Sequence, residues 1–274
     1  MSTIDVDRAI TFVLSTNDPI RSSLAQYLRG DCSREEVIET IKINQRDDGG
    51  WARNDKDFQG DLSNITATFV ALQWLNWIGD QNSSVLQNTL YYLRRNQRKD
   101  GSWDEPEEMA NFNPPFWMLP GRYENQVWLT SALCCQLKEL GREQQVDFPK
   151  AVEFIRQGWD GERFPEYPHT HWMAMPLFRL QGSNSETDEQ IIKGCKKILY
   201  EVVEEDEADS GDIIPIAYAS HLAGDVAEDL FELSLTKVKG NQHSDGGWIT
   251  NHGEKHRASI TVDALFLFKK MGLI

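Results

Sequence analysis

The chain has 274 residues, with 28 Lys and Arg against 43 Asp and Glu, and its formal net charge is −15. A composition with 40% hydrophobic and 26% charged residues is typical of a globular protein with a substantial core. The acidic balance argues against a nucleic-acid partner and against docking on an anionic membrane surface, because both need clustered Lys and Arg.

Two kinds of helical segment alternate along the chain. A one-sided apolar stripe marks residues 34–44, 85–93, 152–155, 191–199 and 230–238, and apolar residues cover most sides of segments 65–79, 127–141, 171–182, 214–224 and 258–272. Segment 19–29 can serve as a further inner helix and segment 5–14 as the last outer one, which completes the pairs. One-sided stripes are typical of outer helices, and helices that are apolar all round are typical of buried ones. The sequence therefore predicts an all-α chain, a single domain over residues 1–274, with about six inner and six outer helices in an (α/α)6 toroid.

A repeated turn joins the outer helices to the inner helices that follow them. The complete copies are NQRDDGGW (44–51), NQRKDGSW (96–103) and NQHSDGGW (241–248), and weaker copies are QGWDGERF (157–164) and DEADSGD (206–212). A Gln side chain at a helix end satisfies backbone groups of the next helix, and a Trp stacks across the junction. We interpret the Gln and Trp residues as braces of the fold.

These Gln-x-x-Asp-Gly-x-Trp segments resemble the QW motif of the squalene–hopene cyclase and oxidosqualene cyclase superfamily, whose α/α toroid also occurs in protein prenyltransferase β subunits. The resemblance implies inner helices that line an aromatic cavity, in which an isoprenoid is protonated or ionised by an isomerase- or lyase-type enzyme. The candidate substrate-binding residues are Trp74, Trp117, Trp128, Tyr167, His169, His171, Trp172, Tyr218 and His256.

The cyclases that protonate an alkene carry an Asp-x-Asp-Asp motif soon after one repeat, and the middle Asp is the acid. At the matching position this chain reads Asp61-Leu62-Ser63-Asn64, so only the first carboxylate is present. Asp61 in an apolar site would have a raised pKa and act as an acid. Alternatively, Asp61 or Ser63 caps the helix that begins near Asn64. The remaining catalytic candidates are Asn64, Glu124 and Asp212.

Histidines near two inner-helix starts, His169 with His171 and His252 with His256, raise the question of a zinc site. The Asp-x-Cys pair by which the prenyltransferases are expected to bind zinc is missing, and the acidic run 201–212 is typical of a solvated helix end. We therefore predict no metal and no cofactor.

Two alternatives stay open. One is a toroid that lost its acid and binds an isoprenoid, a lipid or a peptide without catalysis. The weaker one is an (α/α)6 carbohydrate-active enzyme, for which Glu124 and Asp212 would be the carboxylate pair.

The expected partner is a hydrophobic small molecule. The proline-rich loop 112–120 or a partner subunit would close the barrel mouth. The N-terminus lacks a signal-peptide pattern, no apolar run is long enough to span a membrane, and the four cysteines show no metal-binding spacing, so we predict a cytoplasmic location.

Overall fold

The computed structural model describes residues 4–54, 56–165, 168–182, 185–205 and 209–274. This part of the chain contains twelve α-helices and no β-strand, which confirms the all-α prediction. The helices are α1 (Val6–Ser15), α2 (Pro19–Arg29), α3 (Arg34–Ile41), α4 (Ile65–Trp77), α5 (Ser84–Asn96), α6 (Tyr123–Glu139), α7 (Phe148–Gln157), α8 (Pro168–Leu180), α9 (Glu186–Glu204), α10 (Ser210–Ala223), α11 (Glu228–Gly240) and α12 (Arg257–Lys270).

The chain divides into two compact units. The central unit is Lys42–Ile198, and the terminal unit combines Met1–Ile41 with Leu199–Ile274. In the central unit α6 packs against both α4 and α8, while α5 lies on α4 and α7 lies on α6. In the terminal unit α12 packs against α2 and α10, while α1 and α3 lie on α2 and α11 lies on α10. Within each unit the even-numbered helices therefore form an inner layer and the odd-numbered ones an outer layer.

Burial follows the predicted alternation of inner and outer helices. Every residue of α6 from position 129 to 137 is buried, as expected for a helix that is apolar all round. In contrast, α5 buries one stripe that runs from Val85 to Leu93 and exposes its other face. Within the described residues, we find no helix that combines the length and the apolar character needed to span a bilayer.

Local signals explain where the helices begin. Asp18 accepts a hydrogen bond from the backbone N–H of Arg21, and Pro19 fills the first position of α2. The cap of α4 is Asn64, whose Oδ1 accepts from the N–H of Ala67 at 2.7 Å. The expectation that Asp61 or Ser63 caps this helix was wrong, because Asn64 holds the extended backbone next to the first helical residue.

The proline-rich loop packs onto the segment before α4. Met118 of the loop and Met109, which lies just before it, are fully buried against Phe58. Leu62 and Trp117 pack on the same small cluster. This cluster fixes the loop to the chain that carries Asp61. Trp117, a predicted substrate-binding residue, therefore lies in a loop cluster and not on an inner helix.

Candidate functional site

The Gln side chains of the complete repeat turns hold the starts of neighbouring helices. Gln97 Oε1 accepts from the backbone N–H of Asp147 at 2.7 Å, and its Nε2 donates to the Asp147 carbonyl at 3.1 Å. Gln242 makes the same two bonds with Asp5, both at 2.9 Å. Asp147 and Asp5 are the N-caps of α7 and α1. Gln45 instead reaches the first turn of α5.

The Trp residues of these turns are fully buried, and each donates hydrogen bonds from both its backbone N–H and its indole N–H. The backbone N–H groups of Trp51, Trp103 and Trp248 donate to threonine hydroxyls of the following inner helix: Thr68, Thr130 and Thr261. The indole N–H groups of Trp103 and Trp248 donate to the preceding outer helix, at the carbonyls of Leu93 and Val238. The indole N–H of Trp51 instead donates to Thr89 Oγ1 of α5, the outer helix that follows it. Each Trp thus joins an outer helix to an inner one, which is a structural role and not a chemical one.

The weaker turn QGWDGERF (157–164) gives one predicted site residue, His171, a structural role. Phe164 replaces the Trp, and its backbone N–H donates to Nε2 of the buried His171 at 3.1 Å. His171 therefore takes the position of the threonine in the complete turns, and its Nε2 is the unprotonated nitrogen. The predicted substrate-binding role of His171 competes with this structural one. Gln157 is exposed, and within the described part of the chain its side chain hydrogen-bonds to Glu153 alone.

Aromatic rings from three inner helices meet in the central unit. Phe69 of α4 lies 6.2 Å from Trp128 of α6, Trp128 lies 6.4 Å from His169 of α8, and His169 lies 4.3 Å from Trp172. The distances join ring centroids, and each pair is close to perpendicular. We call these four residues the aromatic wall. Trp74 lies buried on α4, and Tyr167 falls outside the described residues.

A pocket of about 660 Å³ lies in the central unit, at the junction of the first two repeat turns. Asp61 lines it, but this carboxylate is exposed and pairs with Arg46 at 2.8 Å and with Arg53 at 3.5 Å. The apolar setting expected for Asp61 is absent, because Arg46 of the first repeat turn and Arg53 of the segment between that turn and α4 both lie beside it. Asn64, the second catalytic candidate, is engaged as the cap of α4.

Glu105 is a buried carboxylate that sequence reasoning missed. Only 3% of its surface is exposed, and it accepts from the N–H groups of Ile65 at 2.7 Å and Thr66 at 3.0 Å at the start of α4. Burial raises the pKa of Glu105 to about 7, although the hydrogen-bond donors pull it down. No sequence pattern predicts the contact between Glu105 and Ile65, because the two residues are 40 positions apart and meet only through packing.

In the terminal unit, Asp209, Asp212 and His252 converge near the start of α10. One ligand atom from each lies within 4.8 Å of the others, and this is the group among the described residues that could hold a metal ion. Asp209 is committed to the fold, since it accepts from the Gly211 N–H and from the Thr250 hydroxyl. Burial raises the pKa of Asp212, one of the predicted catalytic residues.

The remaining predicted residues make contacts of their own. The ring of His256 lies 6.1 Å from that of His252, and the Tyr218 hydroxyl accepts from Lys270 Nζ at 3.0 Å. Glu124, in the first turn of α6, pairs with Arg122 at 3.5 Å.

Asp263 of α12 is a second carboxyl that the sequence did not single out. Its side chain is half-buried, and burial raises its pKa to about 7, while the nearby Arg21 lowers it.

The model of the prenyltransferase α-α toroid domain matches residues 8–162, which is more than half of the chain. The chain belongs to this family. The toroid assignment agrees with the inner and outer helical layers seen in both units. A comparison with curated proteins gives no significant sequence match.

Solved structures share the toroid fold over nearly the whole chain. A protein from Actinoplanes is 12% identical, with a TM-score of 0.61 and coverage of 97% of this chain and 98% of that one. The type II terpene cyclase MstE from Scytonema is 12% identical, with a TM-score of 0.59 and the same coverage. An MstE variant in complex with geranylgeranyl dihydroxybenzoate, its substrate, is 11% identical, with a TM-score of 0.59 and coverage of 98% and 97%.

Within this toroid, the structure brings together some of the predicted residues. Trp128, His169 and Trp172 meet in the aromatic wall, and Asp61 lines the pocket of the same unit. Asp212 joins Asp209 and His252 in the other unit.

Proposed function

We propose that this toroid binds an isoprenoid or a prenylated small molecule against the aromatic wall and transforms it in the manner of a terpene cyclase. The observation that carries the proposal is the contact of Phe69, Trp128, His169 and Trp172 across three inner helices. Family membership supports it, and so does the prenylated substrate in the complex of the structural neighbour MstE.

The wall suits the chemistry of a prenyl chain in two respects. Apolar ring surface removes an isoprenoid from water, which is worth about 25 cal/mol for each Å² buried. The negative faces of the rings also attract a carbocation that forms on the chain, by about 2 kcal/mol when the site is dry. Perpendicular pairing leaves ring faces and ring edges turned in different directions, so the wall offers faces for such contacts.

Initiation by protonation fits the central unit better than ionisation of a diphosphate. Five carboxylates line the pocket, and Asp61 and Asp104 are the two that pair with arginines. The remaining three leave an acidic site that repels a diphosphate. For protonation, Asp61 is the candidate donor because it is the one carboxylate in the segment 61–64, where Ser63 occupies the position of the acid. Asp61 would then have to exchange its ion pairs with Arg46 and Arg53 for a proton.

Product analysis tests the proposal. Purified protein is incubated separately with geranylgeranyl dihydroxybenzoate, geranylgeranyl diphosphate and squalene, and products are identified by mass spectrometry. We expect a cyclised product from wild type and at least about tenfold less from Trp128→Leu, because the cation loses a ring face. Tyr91→Leu is the matched control, since Tyr91 is an exposed aromatic residue of the outer helix α5. No product from any substrate would refute catalysis.

A second candidate function is non-catalytic binding of the same ligands. It is favoured by Asp61, which is exposed and ion-paired, and by Ser63 and Asn64 in place of the two following carboxylates. In that case lipid is retained through purification, and Asp61→Asn retains as much lipid as wild type. Native mass spectrometry measures the retained lipid, and Trp128→Leu should lose it.

A further inference from the structure

We propose that the pocket beside the first repeat turn binds an organic polycation, a flexible molecule that carries two or more amine charges. The polycation would occupy the pocket that Asp61 lines, and its binding does not depend on the proposed isoprenoid chemistry. The pocket, called the acidic pocket below, is lined by Gln45, Arg46, Asp47, Asp48, Asp61, Leu62, Ser63, Ile65, Tyr92, Asn96, Asp104, Pro106 and Glu108.

The charge of the lining selects cations. Five carboxylates line a concave site of about 660 Å³, within a chain of net charge −15. Asp61 pairs with Arg46 and Arg53, and Asp104 pairs with Arg98. The other three lining carboxylates have no arginine partner among the described residues. Carboxylates gathered in a cleft focus a negative potential and raise the local concentration of cations. The volume falls in the range of small-molecule sites, so an organic ligand fits it.

The carboxylates of the acidic pocket divide into two groups. Asp48 accepts from the Gly50 N–H and from the Ser63 hydroxyl, and Asp104 accepts from the Gly121 N–H, so both hold the walls in place. Asp47 and Glu108 are exposed, and neither side chain has a hydrogen bond or an ion pair with the other described residues. Two negative charges are therefore available to a ligand.

Tyr92 is the independent sign of a ligand. It lines the pocket with only 5% of its surface exposed, and its hydroxyl has no hydrogen-bond partner among the described residues. Gly50 makes room for the ring, since a Cβ there would lie 2.5 Å from it. Burial, with Asp48 and Glu105 nearby, holds the pKa of Tyr92 well above its usual value. The neutral phenol oxygen can accept an N–H from an amine.

The spacing of the charges favours an extended cation over a metal ion. Among the described residues, no three carboxylates of this pocket bring ligand atoms within 4.8 Å of one another. A divalent ion needs several oxygen atoms around one point. Amines separated by methylene groups instead place their charges several ångströms apart, as the dispersed carboxylates require.

Calorimetric titration with spermine, a linear tetra-amine, tests the proposal at about 150 mM salt, where loose surface attraction is screened. We expect one site in wild type and about tenfold weaker binding in the double variant Asp47→Asn/Glu108→Gln, because two available charges are lost. The control Glu201→Gln/Glu232→Gln removes the same formal charge from exposed positions outside the pocket and should bind as wild type does. Equal losses in both double variants, or no binding to wild type, would overturn the proposal.

Two further measurements sharpen the assignment. Tyr92→Phe should bind spermine a few-fold more weakly with an unchanged Tm, because it loses only the hydroxyl. Magnesium should compete poorly with spermine, and magnesium binding as tight as that of spermine would overturn the polycation in favour of a metal ion. Spermine binding is measured without prenyl substrate, so its failure and the failure of isoprenoid turnover are separate results.

Discussion

The inner helices of the central unit carry Phe69, Trp128 and Trp172, whereas those of the terminal unit carry Arg21 and Asp263. Both units nevertheless build their turns in the same way, with a Gln clamp, a buried Trp and a threonine acceptor. Residues that brace the fold are thus separate from residues that give each inner face its chemistry. A toroid with one set of braces can therefore carry a cluster of aromatic rings on the inner helices of one unit and a buried arginine near a carboxyl group on those of the other.

Arg21 and Asp263 are two charged side chains on the inner helices of the terminal unit. Helices α1, α2 and α10 pack around α12, and Asp263 is half-buried at the middle of α12. Arg21 of α2 is 5% exposed, and its Nε donates to the Ser259 hydroxyl at 3.1 Å. The Arg21 Nη1 atom also lies 3.6 Å from Asp18. Arg21 is thus held by its own helix and by α12, one turn before Asp263.

The largest effect should come from the braces, and it should be similar in both units. Trp51→Ala and Trp248→Ala each remove a fully buried side chain, and we expect the free energy of unfolding to fall by about 3–5 kcal/mol. Trp117→Ala is the control, because Trp117 is only partly buried in a loop cluster. Urea titration measures the change. A large loss in one unit and a loss below about 1 kcal/mol in the other would contradict a shared brace.

The interior charge should show itself in the pH dependence of stability. The pKa of Asp263 is raised from 3.8 to about 7 in the folded protein, so the folded state keeps a proton that the unfolded chain releases. The contribution of Asp263 to the free energy of unfolding is therefore fully present below pH 4 and is lost as the pH rises towards 7. Asp263→Asn removes this loss and should be more stable than wild type at pH 8, by up to about 4 kcal/mol, but not at pH 4.

Denaturation at several pH values measures the difference between Asp263→Asn and wild type. Glu228→Gln serves as the control, since Glu228 is an exposed carboxylate of α11. A difference that stays constant between pH 4 and pH 8 would show that Asp263 does not titrate in this window.

The smallest effect separates complete turns from the decayed one. Gln97→Ala loses two bonds to the N-cap of α7 and should cost about 1–2 kcal/mol, whereas Gln157→Ala at an exposed position should cost less than about 0.5 kcal/mol. Thermal unfolding of the two variants side by side provides the measurement. If both variants lost the same free energy of unfolding, the weaker turn 157–164 would still depend on Gln157.

Local pattern was enough to predict the helices and the braces. The apolar stripe of α5 and the buried run of α6 follow from the 3.6-residue period, and Gln97 and Trp103 stand out because their turn is repeated. Local pattern also selected Trp128 and Trp172, since aromatic residues on a helix that is apolar all round lie in the interior. These features depend on residues close together in the chain.

Tertiary packing decided the rest, because the partners come from distant parts of the chain. Asp61 was predicted to lie in an apolar site, but folding places Arg46 and Arg53 beside it. Glu105 reaches the start of α4 from 40 residues away. Periodicity fixes which face of a helix is buried, but it does not fix which side chains of other segments meet that face. The sequence by itself therefore determined the toroid and its braces, whereas the charge and partners of each candidate site were decided by packing.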